Sequence, residues 1–545
     1  MSVISELKKK AADTEGVQRG LLKEVLEKNA GTEFGRELGF AEISSYEEYR
    51  DRIPLSEWED YEERMERIAE GENNILISEE PVYFCISSGS SSKPKYIPLT
   101  RKDVELQIEY WLKGIPEVIR NGLPGRSDDE LFGRTFYTSE FYITDMPDGR
   151  MNGVRTGAPY RYLDRLEGFD CSAYTSPKEV LFPEKLEDML YVKVRFALAE
   201  RDVTAVSGIF VNRMVGLFQY IVRFWDELIH DMETGTVSEV FDVSDEWKEY
   251  LGQQLPADPE RAAELRTIDV RGGKDLIKKI WKKLAFVSFI GGSIYSRFMD
   301  DLREFTGDTP IHYFVYAASE SNFGIATEVD DVDAYYTLTP DTTFFEFIPV
   351  GGDGTAIPAW EVEKGKQYEF VITTVSGLYR YQMQDVIEVV DFFEKSPIVR
   401  ICYRKNLMLN VSEEYMNLRQ LEKAIEGFSN RTGMSSPEFC VEEIYDVIPP
   451  RYRFYVEAEH TGGEYGPEKL SKIMDEELKN SCYTYQVSRD LDEIDEPLVF
   501  LLKRGAFREY EQLLSLKGYR MEQNKPIRIL KTQEQREFFS RRVRL

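Results

Sequence analysis

From Pro81 onward, short apolar runs rich in Val, Ile, Phe and Tyr alternate with longer stretches whose apolar residues recur at helical spacing. A chain patterned this way buries strand faces and helix stripes against one another, which points to an α/β layer architecture. The strand-like runs are Thr135 to Thr138, Phe286 to Ile290, Ile311 to Tyr316, Phe344 to Pro349, Tyr368 to Thr374 and Val386 to Asp391. Helices are predicted over Asp103 to Ile119, Asn212 to Met232 and Asp275 to Leu284. Ahead of them the first 70 residues read as helical, with Ile4, Leu7, Ala11, Leu21, Leu22, Val25 and Leu26 on apolar faces and Asn29-Ala30-Gly31 as a stop.

After about residue 405 the rhythm changes to a compact α+β set. It runs helix (Glu413 to Glu426), strand (Phe439 to Tyr445), strand (Tyr452 to Ala458), helix (Lys469 to Lys479), strand (Leu498 to Lys503) and helix (Phe507 to Leu516). A length of 545 residues exceeds one core of ordinary size. The expected division is therefore a large α/β domain over 1–405 and a small α+β domain over 406–545, with the boundary near Arg404-Lys405-Asn406.

Lys and Arg number 69 against 98 Asp and Glu, a net charge of −29. Binding to a nucleic-acid backbone or to an anionic membrane needs clustered positive potential, so neither partner is expected. The acidic run Glu328 to Asp333 reads as a solvated loop, because clustered carboxylates without a partner repel one another. Five widely separated cysteines and three histidines make a zinc site or a Ser-His-Asp triad improbable. The cysteines are expected to be reduced core residues, and His312, inside an apolar run, a satisfied strand residue. The N-terminus lacks the apolar core of a signal peptide and no run of 18 apolar residues occurs, so the expected location is the cytoplasm.

Three segments carry chemistry. Residues 87–95 read Ser-Ser-Gly-Ser-Ser-Ser-Lys-Pro-Lys after the apolar run Val82 to Ile86. Small residues, hydroxyls and backbone N–H groups at a strand end can wrap phosphate oxygens while a lysine neutralises them. The spacing is not that of a Walker A loop, and the bland alternative is a solvent-exposed linker. Tyr316-Ala317-Ala318-Ser319-Glu320 follows an apolar strand and suits a hydroxyl beside a phosphate with a carboxylate on magnesium; the alternative is a helix N-cap. Gly377 to Asp385 lies between two strand-like runs, and an aspartate there can accept both ribose hydroxyls or simply serve a turn.

In order and spacing these segments resemble the three nucleotide motifs of the Gretchen Hagen acyl-acid amido synthetases, the auxin-responsive plant enzymes and their bacterial relatives in the adenylate-forming superfamily. The likeness extends to Tyr61 to Glu72, Trp225 to Gly235, Phe344 to Val350 and Val371 to Tyr381, and to Gly505-Ala506-Phe507 and Gln523-Asn524-Lys525 near the C-terminus. The resemblance implies an adenylate-forming fold with a mobile C-terminal domain, ATP and Mg2+ as cofactors, and a carboxylic acid and an amine or amino acid as substrates. It implies that Ser87, Ser88, Gly89, Ser90 and Ser91 hold ATP phosphates with Lys95 nearby. Glu320 would take magnesium, with Ser319 beside the α-phosphate and Tyr316, Ala317 and Ala318 among the nucleotide-binding residues. Asp385 would hold the ribose, Arg380 would line the nucleotide site, Arg404 would sit near the hinge, and Lys525 would reach the adenylation transition state.

Some positions depart from the family pattern. Ser92 stands where many relatives carry a glycine, Gln384 replaces the glycine of the third motif, and the proline after Lys525 is shifted by one place. The implied activity is conversion of a carboxylic acid to an acyl-adenylate followed by acyl transfer to an amine. Two alternatives are an adenylating ligase that uses coenzyme A or another nucleophile, and a catalytically weak homologue that binds nucleotide or acyl acid. The identities of acid and amine and the oligomeric state are not legible in the residues.

Overall fold

The computed structural model describes residues 2–544 except 88–94, 140, 142, 147, 184–188, 271–273, 293–297, 331–332, 406–408, 410, 412–415, 436, 446, 448, 459–464, 491–493 and 517–526. The described chain divides into two compact units. One extends to Ile401, leaving out Gln384–Val386; the other comprises Gln384–Val386 and the chain from Cys402 onward.

The large unit is built on three sheets. The first has four parallel strands, in the order Arg134–Tyr137, Val203–Phe210, Phe286–Ile290 and Ile311–Tyr313. Parallel neighbours need crossover connections, supplied here by helices that include Leu190–Ala199, Val211–Arg223 and Met299–Thr306. A sheet covered in this way is buried on both faces, so successive residues of Phe286–Ile290 are buried or half-buried, Ser288 among the buried ones, with no exposed alternate positions. Arg261, 1 % exposed, donates to the carbonyls of Leu198 (2.9 Å) and Ile280 (3.1 Å), satisfying helix-end acceptors that burial cuts off from water.

The second sheet has the order Lys95–Leu99, Tyr83–Ser87, Met151–Gly153 and Ile143–Asp145. The third has eight strands, in the order Ile357–Pro358, Thr343–Pro349, Gln367–Thr374, Tyr381–Phe393, Ser396–Arg404, Tyr336–Leu338, Asn322–Ile325 and Val315–Ala317. Gly324 faces Leu338 across one of these pairs. A Cβ there would fall inside contact distance of the Thr337 carbonyl oxygen, so only glycine lets the two strands approach.

The small unit carries a three-stranded sheet, Glu438–Ile444 antiparallel to Arg451–Glu457, which in turn runs parallel to Leu498–Leu501. Helices Leu418–Thr432, Pro467–Ser481, Ala506–Leu516 and Gln533–Ser540 accompany it. The division after Ile401 lies four residues before the expected end of the first domain at 405.

Three expectations are corrected, the first being the helix over Asn212 to Met232, which is two helices, Val211–Arg223 and Trp225–Thr234, parted at Phe224. The single run Ile311 to Tyr316 is two strands: Ile311–Tyr313 closes the parallel sheet and Val315–Ala317 opens the eight-stranded one. At Phe314 the chain changes sheets while its amide still donates to the Phe289 carbonyl at 2.9 Å. Both strands are buried, so no polar break marks the switch. The predicted helix over Asp103 to Ile119 is interrupted by a π-helical stretch at Ile108–Gly114 between Arg101–Gln107 and Ile115–Gly122. The cysteines form no disulfide; Cys85, Cys402, Cys440 and Cys482 are buried and Cys171 is half-buried. No helix among the described residues is long and apolar enough to cross a membrane.

His312 is fully buried, with Nδ1 3.3 Å from the Ser288 hydroxyl and Nε2 3.1 Å from the Ala326 carbonyl oxygen. Burial holds its pKa down to about 4, against 6.5 for the free side chain. The folded state therefore binds fewer protons there than the unfolded chain, and the contribution to stability is complete above pH 6.5 and lost as pH falls from 6.5 towards 4. Linkage puts the loss at about 2 kcal/mol between pH 7.5 and pH 5. Urea unfolding of wild type and His312→Gln at those two pH values measures it: the variant should lose less stability than wild type on acidification, and equal losses would contradict a neutral buried imidazole.

Candidate active site

The three motif segments are each set by a different device. Tyr83–Ser87 and Lys95–Leu99 form an antiparallel pair in which Ser87 faces Lys95, so the two chain ends that frame the serine-rich segment are fixed by the sheet ladder. Ser88, Gly89, Ser90 and Ser91 lie outside the described residues, and of Ser87 only the backbone is described. The half-buried Lys95 carries its ammonium 4.4 Å from the centre of the Trp58 ring, a cation–π contact that holds a positive charge beside the segment.

The second segment is the tip of a hairpin. Val315–Ala317 pairs antiparallel with Asn322–Ile325, and the Ala318 amide donates to the Ser321 carbonyl at 3.0 Å across the turn. Ser319 and Glu320 sit at this tip, which excludes the helix N-cap alternative. Tyr316 anchors the turn from below: it is 4 % exposed and stacks on Phe370 with ring centres 5.7 Å apart and an interplanar angle of 28°. Its ring is thus a core element that fixes the motif. Glu320 is 8 % exposed, yet its carboxylate has no hydrogen-bond or ion-pair partner among the described residues. A buried carboxylate left without a protein partner is costly, and a bound cation removes that cost.

The third segment is locked by a dense polar network. Thr374 closes the turn, its amide donating to the Leu378 carbonyl at 2.8 Å while its hydroxyl accepts from the Leu378 amide at 3.1 Å. The Tyr61 hydroxyl accepts from the Tyr379 amide at 3.0 Å and donates to the Tyr379 carbonyl at 2.7 Å. Ser56 and Gln382 complete a ladder on the next residues, with Ser56 donating its amide to the Arg380 carbonyl at 3.0 Å.

Arg380 differs from its expected role. Its guanidinium donates through Nε to both Glu346 carboxylate oxygens at 3.1 and 3.0 Å, and through one terminal nitrogen to the carbonyls of Arg50 (2.8 Å) and Ile53 (2.7 Å). The other terminal nitrogen lies 3.0 Å from Glu346. Both partners are buried, so Arg380 ties the strand to the N-terminal helices and offers no free edge to a nucleotide. Burial pushes the Glu346 carboxyl upward, and the guanidinium opposes that shift. Asp385 follows on the strand Tyr381–Phe393 and is 9 % exposed. The residue before it, Gln384, has φ +61°, the left-handed conformation for which glycine is suited, so the backbone retains the glycine geometry although the residue has changed. Arg404 ends the strand Ser396–Arg404, its side chain outside the described set, and Lys525 lies outside the described residues altogether.

Sequence reasoning missed a second buried ion pair that lies beneath two of these motifs. Asp103, 2 % exposed, receives the Arg155 guanidinium at 2.5 Å, and Arg155, 5 % exposed, donates also to the Ser319 carbonyl at 3.2 Å. The Thr100-x-x-Asp103 spacing marks a helix start, and Thr100 does cap it, but nothing local signals a partner 52 residues away.

Comparison with known proteins finds matches along most of the chain. The model of the GH3 family N-terminal domain matches residues 3–311, that of the central domain 336–404 and that of the C-terminal domain 419–534. The chain is 28% identical over 535 residues to the probable indole-3-acetic acid-amido synthetase GH3.1 of Arabidopsis thaliana, covering 94% of this chain and 88% of that protein. It is 27% identical over 466 residues to indole-3-acetic acid-amido synthetase GH3.8 of Oryza sativa subsp. indica, covering 82% and 76%. Among solved structures, GH3.15 acyl acid amido synthetase superposes with a TM-score of 0.84 at 21% identity, over 99% of this chain and 96% of that one. A 2-hydroxyisobutyryl-CoA ligase in the postadenylation state shares the fold at a TM-score of 0.51 and 12% identity, over 92% of each chain.

Replacing Arg380 by Met strands the Glu346 carboxylate in the core and should lower stability by about 3–5 kcal/mol. Gln384→Gly removes a left-handed backbone cost of about 1–2 kcal/mol but adds unfolded-chain entropy of about 0.5–1 kcal/mol, so it should leave stability nearly unchanged or slightly raised. Thermal melts of the two variants beside wild type check both; a well-tolerated Arg380→Met would move the structural lock elsewhere.

Proposed function

This chain belongs to the GH3 family, and from that premise we propose that it is an ATP-dependent acyl-acid amido synthetase: it adenylates a carboxylic acid and transfers the acyl group to an amine, an amino acid in our reading. The observation that carries the proposal is Glu320, a buried carboxylate with no partner among the described residues, at the tip of a hairpin held by its strand pairing and by Tyr316.

In the first half-reaction a carboxylate oxygen attacks the α-phosphorus of ATP. The bond from that phosphorus to the bridging oxygen breaks, giving acyl-adenylate and pyrophosphate. In the second, the amine nitrogen attacks the acyl carbon, AMP leaves, and the amine gives up a proton. The protein's task in the first step is to hold the reactants in line and to meet negative charge growing on the phosphoryl oxygens. Ser87, Ser88, Ser90 and Ser91 are assigned to the phosphates with Lys95 beside them, Ser319 to the neighbourhood of the α-phosphate and Asp385 to the ribose.

Magnesium fits the residues present. Mg2+ binds through one or two carboxylates together with substrate phosphates, and Glu320 supplies such a carboxylate; no group of three potential ligands exists among the described residues, so no all-protein cage competes with it. When bound there, the ion supplies Lewis-acid polarisation of the phosphoryl oxygens. Glu320 holds its place because Tyr316 is packed in the core and the turn is hydrogen-bonded shut.

We assign Lys525 to the adenylation transition state and the chain from about residue 406 to a mobile C-terminal domain that withdraws that lysine before the amine enters, with Arg404 near the hinge. The working compartment in this reading is the cytoplasm. The C-terminal relocation is supported by family membership and by the separate packing of the unit beginning at Cys402.

A screen of carboxylic acids with ATP, Mg2+ and hydroxylamine, following pyrophosphate and hydroxamate, tests the proposal; amino acids and coenzyme A then replace hydroxylamine. Pyrophosphate and an aminoacyl product are expected, and ATP binding without turnover over a broad acid library would overturn the reading. Glu320→Ala should lower kcat/KM for pyrophosphate release by roughly 10²–10³, corresponding to about 2.7–4 kcal/mol of barrier. Lys525→Ala should slow adenylation more than amide formation from supplied acyl-adenylate; equal losses in both would contradict its transfer between half-reactions.

A further inference from the structure

We propose that the buried pair Asp103–Arg155 is a positioning device that sets the metal-binding carboxylate, by fastening the Ser319–Glu320 hairpin to the turn that precedes the ribose strand. The role in catalysis rests on the adenylation reading above; the role in cation binding does not.

Both side chains are almost wholly removed from solvent, at 2 % and 5 % exposure. Asp103 lies in the first turn of the helix Arg101–Gln107, directly after the strand Lys95–Leu99. One carboxylate oxygen accepts from Arg155 at 2.5 Å, from Gln107 Nε2 at 3.2 Å and from Asn322 Nδ2 at 3.4 Å. The other accepts from the Ser376 hydroxyl at 2.9 Å, and the Ser376 oxygen in turn accepts from the Thr100 amide at 3.3 Å. Arg155 reaches in the opposite direction and donates to the Ser319 carbonyl at 3.2 Å. A continuous chain of contacts therefore runs from Ser376 through Asp103 and Arg155 to the peptide that links Ser319 to Glu320.

Three segments far apart in sequence meet at this one pair: the helix start after the phosphate-loop strands, the hairpin carrying Glu320, and the turn leading into Arg380 and Asp385. A buried ion pair is a poor device for stability alone, because the desolvation of two charges offsets most of their attraction. It is a good device for geometry. The guanidinium is a planar fork whose donors point in fixed directions, and here one arm takes a carboxylate while another takes a backbone carbonyl, something a lysine or an apolar side chain cannot reproduce. Asn322 adds a second tie, since it begins the hairpin's return strand and contacts the same Asp103 oxygen. Neither Asp103 nor Arg155 is assigned contact with substrate; they act through Ser319 and Glu320.

The test uses full-length protein and Mn2+ as the probe ion, its binding followed by electron paramagnetic resonance in the presence of a non-hydrolysable ATP analogue. Glu320→Ala serves as the variant lacking the metal carboxylate. Arg155→Lys keeps the charge but not the two-armed fork, and should weaken Mn2+ at least tenfold while thermal unfolding shifts by only a few degrees. Pyrophosphate release should lose kcat by ten- to a hundredfold with KM for the acid within threefold. The double variant Asp103→Asn/Arg155→Gln removes both buried charges together and should fold while showing the same loss of Mn2+ affinity. If the pair variants fail to fold, Ser376→Ala, which leaves the pair intact and removes one 2.9 Å tie, decides the matter with an expected loss of a few fold in Mn2+ affinity. Folded variants that bind Mn2+ like wild type would overturn the proposal. Wild type that binds Mn2+–nucleotide but releases no pyrophosphate with any acid would overturn the adenylation reading and leave the positioning role to be judged by the Mn2+ affinities of the variants.

Discussion

The contact between Arg380 and Glu346 is the constraint on which the motif-bearing part of the large unit is built. Taking two charges out of water costs several kcal/mol per ion, and the pair is tolerated because almost every donor and acceptor finds a partner. The guanidinium meets both carboxylate oxygens and two backbone carbonyls, while the Tyr46 hydroxyl lies 3.2 Å from Glu346. Those carbonyls, of Arg50 and Ile53, belong to the end of the helix Tyr46–Arg52, where intrahelical donors run out. Apolar residues could fill the same volume but would leave the helix end unsatisfied. One side chain thus closes a helix, joins it to the strand Thr343–Pro349 and sets where the strand Tyr381–Phe393 begins.

From that fixed point the other polar contacts follow as consequences of burial. The turn before Arg380 cannot reach water, so its amides and carbonyls are met by Tyr61, Ser56 and Thr374. The hairpin before Glu320 has the opposite character, since its turn is closed by a backbone bond and its base by aromatic packing of Tyr316 against Phe323, Tyr336 and Phe370. Glu320 therefore gains a stable position without a partner of its own among the described residues. A carboxylate paired with an arginine would be equally well placed but would surrender its oxygens to the protein.

Much of this was legible in the residues, and the failures have identifiable causes. Phe286 to Ile290 matched its strand to the residue, and Leu498 onward, Tyr452 onward and Lys469 to Lys479 fell within two residues of the observed starts, because turn residues bound those runs. Val203–Phe210, a central strand of the parallel sheet, was not predicted: Thr204, Ser207 and Gly208 dilute its apolar signal, and its burial comes from crossover helices distant in sequence. The chain switch at Phe314 was invisible because the two strands are buried and no turn residue separates them. At the candidate site, Ser319 and Glu320 could be singled out from their order after a strand. The inward turn of Arg380 could not, since it depends on Glu346, 34 residues earlier on a neighbouring element. Asp103 and Arg155 gave no local sign of each other for the same reason.

Electrostatics sets one further condition on the proposed chemistry. Both substrates of the first half-reaction are anions, and the chain as a whole carries −29, so the long-range field opposes their approach. At physiological ionic strength exposed charges are screened over about 8 Å, which confines that opposition to the immediate surface and leaves the local arrangement to decide binding. Within that range the described site offers Lys95, held against Trp58 by its ring face, while the arginines of the two buried pairs are neutralised by Glu346 and Asp103. Among the described residues positive charge at the site is therefore sparse, and Lys525, which the proposal brings to the transition state, lies outside them. A nucleotide that arrives with its divalent ion carries half the charge of the free anion and brings a partner to Glu320, which has none among the described residues, so this carboxylate and the acidic surface favour the same form of substrate.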